Sequence, residues 1–387
     1  MSDIYARQLE ALRAGSLDRH LREISSPQGT TVDLDGKRLI NFSSNDYLGL
    51  ANDPQLREPA TKAIAEFGVG AGASRLISGT QSPHVRLETA LAKWKGTEAA
   101  LCFSSGYAAA LGTIPALVDK NDVIILDKLC HASLIDGAKL SGATLRVFPH
   151  NHLGKLKSHL EWARQKNSDA RILIITESVF SMDGDRAPLP EIVKLKKEFG
   201  AQLFLDEAHA VGVIGPDGRG LAVEENLSPE VDVHMGTLSK ALGVSGGYIC
   251  GSRNMTEWLI NRARSFIFST APPAALAAAA KAGVDFLSST EGKKRRQRLW
   301  RNIDILAEEL SIQPASAIVP WIIGDEKAAL TAARNLQDNG FLVPAIRYPT
   351  VPKGAARFRI TVSAAHEDEQ LQSLAAAIKR IAKKRLR

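Results

Sequence analysis

From about residue 84 the chain alternates helix-length stretches with short runs of apolar and β-branched residues. These runs cover 99–103, 123–127, 171–177, 203–206, 231–235 and 247–251. They lack the in–out alternation of a strand with one wet face, which predicts strands covered on both sides. Strands of that kind, separated by helices, predict an α/β fold with a mostly parallel central sheet. Upstream, 31–42 reads as a hairpin with Asp35-Gly36 at its turn. Residues 1 to about 25 predict an amphipathic helix with Leu9, Leu12, Leu17 and Leu21 on its apolar side. Beyond residue 290 a basic helix and shorter α and β pieces predict a smaller α+β domain. The expected division is an N-terminal helix and hairpin segment over 1–45, a large domain over 46–288 and a small C-terminal domain over 289–387.

Composition narrows the possibilities. At 387 residues the chain can bury a large and a small core. Its net charge of +7 is concentrated in 293–298 and 379–387. Neither cluster is interleaved with aromatics, so solvated helix faces are expected, not a nucleic-acid partner. Cys102, Cys130 and Cys250 lie in or beside apolar runs, as buried free thiols of a reducing compartment would. The charged N-terminus does not read as a signal peptide. The apolar stretch 271–287 is interrupted by Pro272, Pro273 and Lys281, so no membrane span is expected, and the cytoplasm is the expected location. No metal site is expected.

The chemistry-bearing residues cluster at the strand ends. The run 231–235 stops at Gly236, and Lys240 follows with Thr237 and Ser239 beside it. A lysine just past a core strand can be a surface residue, or an amine made nucleophilic by burial. Ser105-Gly106-Tyr107, His131, Glu177 with Ser181, and Asp206 with His209 also fall at or just beyond strand C-termini, the edge where such sheets hold ligands. Together they fit pyridoxal phosphate. Lys240 would anchor its aldehyde, Asp206 would pair with the ring nitrogen, His209 would reach the ring hydroxyl and His131 would stack on the ring. Ser104-Ser105-Gly106 at a helix start would hold the phosphate.

Two other motifs point elsewhere and fail. Gly68-Val69-Gly70-Ala71-Gly72-Ala73-Ser74-Arg75 misses the dinucleotide spacing by one residue and follows a helical pattern, so a flexible loop is expected. Gly243-Val244-Ser245-Gly246-Gly247 satisfies G-x-S-x-G, and Asp206 and His209 could complete a hydrolase triad. The order Asp, His, Ser and the strand that follows do not suit a nucleophile elbow.

Four segments carry a family resemblance: Ser43-Ser44-Asn45-Asp46-Tyr47-Leu48-Gly49-Leu50, Asp206-Glu207-Ala208-His209, Thr237-Leu238-Ser239-Lys240-Ala241-Leu242-Gly243 and Ser363-Ala364-Ala365-His366. In combination and order they resemble the α-oxoamine synthases, from about residue 5 to the C-terminus. The resemblance implies a fold-type I, aspartate-aminotransferase-like enzyme that uses pyridoxal 5'-phosphate. It implies a cofactor site made of Ser105, Gly106, Tyr107, His131, Glu177, Ser181, Asp206, His209, Thr237 and Lys240. Lys240, His131, Asp206 and His209 would be catalytic. Arg359 would hold the amino-acid carboxylate, with Asn45 also at the substrate and Arg19 and Thr350 toward the acyl group. Family members are homodimers, and Thr270 would reach the phosphate of the partner subunit.

Segments 42–50, 75–79, 180–185 and 345–352 look most like the branch of biotin synthesis that joins L-alanine to a pimeloyl thioester, on CoA or a carrier protein. Asp206-Glu207-Ala208-His209-Ala210-Val211-Gly212, in place of the commoner Asp-Asp-Ala-His-Gly-Thr-Gly, and Tyr348, where Pro is usual, instead resemble a branch using glycine and acetyl-CoA.

Overall fold

The computed structural model describes residues 3–15 and 17–385. Seven strands form the central sheet: β3 (Ala99–Phe103), β4 (Val123–Asp127), β5 (Thr144–Phe148), β6 (Ile172–Glu177), β7 (Gln202–Asp206), β8 (Val233–Thr237) and β9 (Gly247–Gly251), following the hairpin strands β1 (Thr31–Leu34) and β2 (Lys37–Asn41). The sheet order is β3-β9-β8-β7-β6-β4-β5, and every strand but β9 points the same way. Alternate residues feed two separate cores. Ile124, Leu126, Leu173, Ile175 and Phe204 pack on one face, and Val123, Ile125, Ile172, Ile174 and Leu203 on the other. Both faces are thus dry, which is why the sequence shows no polar alternation.

The expected strands form, with three differences. Strand β5 was not expected: at this sheet edge only Phe148 is buried, so the segment lacks an apolar run. Gly236 does not end its strand but lies inside β8. A Cβ there would meet the Tyr248 ring at 2.4 Å, so glycine makes room for a neighbouring aromatic. The N-terminal helix spans only Ile4–Ala14 and buries none of its residues, and Leu21 beyond it is fully exposed. Leu9 and Leu12 of its apolar stripe are exposed.

The hairpin turns at Asp35 and Gly36, both at positive φ, as expected. Its strand β2 pairs in parallel with β11 (Phe341–Leu342), so the N-terminal segment joins a small sheet with the C-terminal part of the chain. A second small sheet has the order β10-β13-β12, from β10 (Ile318–Gly324), β12 (Ala345–Ile346) and β13 (Ala356–Thr361). The Gly68–Arg75 stretch is a loop following helix Pro54–Phe67, as expected, and runs into a single π-helical turn, Arg75–Gly79. Helix Ala274–Leu287 is Ala-rich and buried. Among the described residues no helix is long and apolar enough to cross a membrane.

Candidate active site

The C-terminal ends of β3, β4, β6, β7 and β8 meet at one edge of the sheet and frame a cavity of about 210 Å³. Ser105, Gly106, Tyr107, His131, Glu177, Asp206, His209, Thr237 and Lys240 all line it. Their convergence follows from register. Asp206 is opposite Glu177 on β6 and Met235 on β8, so the acid of one strand faces the residues that lead to Lys240.

Lys240 sits on the loop between β8 and β9, partly buried, not in a helix. Burial pushes its pKa down to about 8, against the pull of Asp206 and Glu177. Its Nζ lies 2.8 Å from His209 Nε2. Among the described residues the Asp206 carboxylate accepts one hydrogen bond, from the Ala208 N–H at 2.8 Å, and no cation pairs with it directly. Burial raises its pKa, and Lys240 counters this only in part. Glu177 is raised further, by burial first and then by Asp206, and takes the His131 N–H. Burial, then the Lys240 charge, holds the His209 imidazolium well below its ordinary pKa, so the ring is neutral. The ring of His131 is exposed at the cavity, and its Nδ1 accepts from the Ser133 N–H at 3.2 Å.

Helix Gly106–Leu117 brings its N-terminus to the same cavity. Ser105 caps it by accepting from the Ala108 N–H at 3.0 Å. A Cβ on Gly247 would meet Ser105 O at 2.5 Å, so β9 passes hard against this turn. The Thr237 hydroxyl lies 2.7 Å from Ser239 Oγ and 2.9 Å from Gly246 O. Tyr107 is half-exposed and donates to Asp136.

Arg359 is buried beside this site. Its Nε donates to Ser181 O at 2.5 Å, and its Nη1 to Asn45 Oδ1 and Thr361 Oγ1, each at 3.1 Å. No carboxylate pairs with it among the described contacts, leaving an uncompensated buried cation suited to an anion. Ser181 joins this group through its carbonyl oxygen.

Three expected residues lie outside this cavity, Thr270 among them as its expected reach to the partner subunit's phosphate implies. Thr270 is an exposed residue paired with Ser74 in an isolated bridge. Arg19 and Thr350 are exposed outside the cavity, on segments tied together by Arg347 donating to Asp18 O at 3.1 Å. Ser245 is exposed and does not line the cavity, so no hydrolase triad forms. Tyr47 was missed as a site residue. It lies in the segment 43–50 that carries the family resemblance, but its partner His209 is 162 positions away.

The residues present fit pyridoxal phosphate. They supply an amine of depressed pKa, a buried carboxylate without a cation, a neutral imidazole, and a helix N-terminus flanked by hydroxyls.

The comparisons with known proteins agree. The model of the family "Aminotransferase class I and II" matches residues 37–378. The 8-amino-7-oxononanoate synthase of Geobacter sulfurreducens is 45% identical over 99% of both chains. A serine palmitoyltransferase of S. paucimobilis solved with bound PLP superposes at a TM-score of 0.92, with 30% identity over 98% of this chain and 97% of that one. An 8-amino-7-oxononanoate synthase from Francisella tularensis superposes at 0.76, with 28% identity over 90% and 99%. The chain therefore belongs to the class I and II aminotransferase family, and within it to the pyridoxal-phosphate-dependent α-oxoamine synthases.

Proposed function

We propose that the protein is an 8-amino-7-oxononanoate synthase, an acyltransferase of biotin synthesis that condenses L-alanine with a pimeloyl thioester, releasing CO2 and the thiol carrier. One observation carries the chemistry: a partly buried lysine with a pKa of about 8 lines one cavity with a buried carboxylate that pairs with no cation among the described residues. The identity to curated synthases along the whole chain supports the substrate class.

Pyridoxal phosphate, when bound, supplies an electron sink for negative charge at the amino acid's Cα. The other tasks fall to the protein. Asp206 holds a proton at the ring nitrogen, which its buried negative charge favours. Ser105, Gly106, Thr237 and Tyr107 line the phosphate end, and His131 covers the ring. Arg359 receives the alanine carboxylate, with Asn45 beside it. The Lys240 amine anchors the cofactor, then takes and returns the proton at Cα. Its lowered pKa leaves a sizeable neutral fraction at pH 7.

Of the positions that resemble the glycine and acetyl-CoA branch, Glu207 and Tyr348 do not line this cavity. Glu207 turns away from the cavity to Lys95 and His234, and Tyr348 is exposed beneath the Lys353 ammonium. A homodimer and a cytoplasmic location complete the reading. The three cysteines, all free and buried, suit a reducing compartment.

The test compares thiol release from alanine plus pimeloyl-CoA, alanine plus a pimeloyl carrier protein, and glycine plus acetyl-CoA. Turnover only with the last pair would overturn the substrate assignment. Purified protein should be yellow and should lose its visible band to borohydride as the cofactor becomes fixed to Lys240. A protein that takes up no pyridoxal phosphate would remove the whole reading.

A further inference from the structure

The contacts around Lys240 continue away from the cavity. Lys240 Nζ meets His209 Nε2 at 2.8 Å, and His209 Nδ1 meets the Tyr47 hydroxyl at 2.6 Å. That hydroxyl meets Asn45 Oδ1 at 3.2 Å, and the same Oδ1 accepts from Arg359 at 3.1 Å. One chain of four contacts joins the lysine to the arginine. Tyr47, in its middle, is fully buried and has no task in the chemistry above.

Donor and acceptor rules fix the direction of each contact. A guanidinium only donates, so Asn45 turns its carbonyl oxygen toward Arg359. That oxygen only accepts, so Tyr47 must donate to it. Burial pushes the Tyr47 pKa up to about 12, so the phenol keeps its single hydrogen at neutral pH. With that hydrogen on the Asn45 contact, the phenol oxygen accepts from His209 Nδ1–H. Nε2 is then a bare lone pair, and Lys240 donates to it. A proton on Nε2 would instead draw the phenol hydrogen to Nδ1 and leave two oxygens facing each other at Asn45.

We propose that Tyr47 is a positioning residue that sets the tautomer of His209, making the imidazole an acceptor toward Lys240. The proposal rests on the reading of Lys240 as the working amine. In Tyr47→Phe, Nδ1 loses its partner in a buried setting, and the ring proton moves to Nε2. Lys240 must then accept, which only its neutral form can do, so the amine loses its proton at lower pH. The other charged groups facing this chain are Asp206, Glu177, His131 and Arg359. They come from separate elements, and the substitution leaves them in place.

The first test is ¹⁵N NMR of the full chain labelled at histidine and stripped of cofactor, with the His209 signals identified by their loss in His209→Asn. Wild type should carry its proton on Nδ1 and Tyr47→Phe on Nε2. The wild-type spectrum needs neither a folded Tyr47→Phe nor bound cofactor, so it decides the tautomer even if the cofactor reading fails.

The second test is the pH dependence of pyridoxal phosphate capture. The midpoint should fall by about one pH unit in Tyr47→Phe, and the loaded variant should lose about tenfold in kcat with its alanine KM within about twofold. A purely structural tyrosine would lower the melting temperature and move neither tautomer nor midpoint. A wild-type proton on Nε2, or an unchanged tautomer in the variant, overturns the proposal.

Discussion

Two clusters of the same residue types lie back to back at the end of β7, one built on Asp206 and the other on Glu207. Glu207 is fully buried and accepts from Lys95, from the Ala222 N–H at 3.1 Å, and lies 3.3 Å from His234 Nδ1. Lys95, also fully buried, donates in addition to Arg219 O. Burial alone would raise the Glu207 pKa, but Lys95 and His234 more than offset it and hold the carboxyl at about 2. Asp206, one residue earlier, accepts a single backbone N–H and is raised. Both clusters contain a lysine, a carboxylate and a histidine. In one every group is paired within the protein; in the other the carboxylate and the amine keep unused bonding capacity, directed into a cavity. Burial of a lysine is therefore no sign of chemistry by itself. Chemistry goes with the pairing that is left open.

The largest expected effect separates the two lysines. Lys240→Ala should lower turnover by roughly 10³-fold or more, while the protein still binds pyridoxal phosphate without a covalent bond. Borohydride followed by mass analysis should then find no fixed cofactor. Normal turnover in this variant would break the comparison at its root. On the other side, Glu207→Gln leaves the Lys95 charge buried without a carboxylate, which should cost about 3–5 kcal/mol of stability. Denaturant unfolding checks this, and turnover per folded molecule should stay close to wild type. Replacing both partners by apolar residues, Lys95→Met with Glu207→Leu, should recover part of the loss. If Glu207→Gln instead abolished turnover in fully folded protein, the two clusters would not be separable into framework and site.

The open cluster was more legible in the sequence than the closed one. Apolar runs alternating with helices gave the sheet, and residues just past those runs had to meet at one edge. Lys240, Asp206, His209 and His131 could be grouped on that ground alone. Lys95 could not. It ends helix Ser82–Lys95 in a basic stretch and reads as a solvated lysine; only tertiary packing buries it against Glu207. Tyr47 was hidden for the same reason, since no local period reports a hydroxyl that meets a histidine 162 positions away. Strand β5 escaped because its edge position leaves most of its side chains partly wet. Gly236 was misread as a strand end because the cause of the glycine, the Tyr248 ring, lies on another strand.

A smaller effect sharpens the division between the lysine end and the carboxylate end of the site. Arg359→Lys keeps the charge but loses the planar fork, so the KM for alanine should rise about tenfold, roughly 1.4 kcal/mol, with a smaller change in kcat. Steady-state kinetics at varied alanine concentration separates the two constants. A fall in kcat alone would assign Arg359 to the reaction and not to holding the carboxylate.

The mildest perturbation is pH, and it acts on the two clusters from opposite ends of the scale. The folded pKa of Lys240, about 8, lies below its ordinary 10.5. The unfolded chain therefore binds more protons between those values, and Lys240's share of stability rises with pH across that window. Glu207 is depressed from 4.5 to about 2, so its share is complete above 4.5 and is lost as the pH falls through 2. For function only the Lys240 window matters, because the neutral amine is the nucleophile. Capture of pyridoxal phosphate by cofactor-free protein should speed up about tenfold per pH unit below the midpoint and level off above about pH 8. Stopped-flow absorbance measures this, with Lys240→Ala as the variant that should show no covalent phase. A rate that climbs without a break to 10.5 would mean that Lys240 is as solvated as an ordinary surface lysine, and the open cluster would lose the property that sets it apart from Lys95 and Glu207.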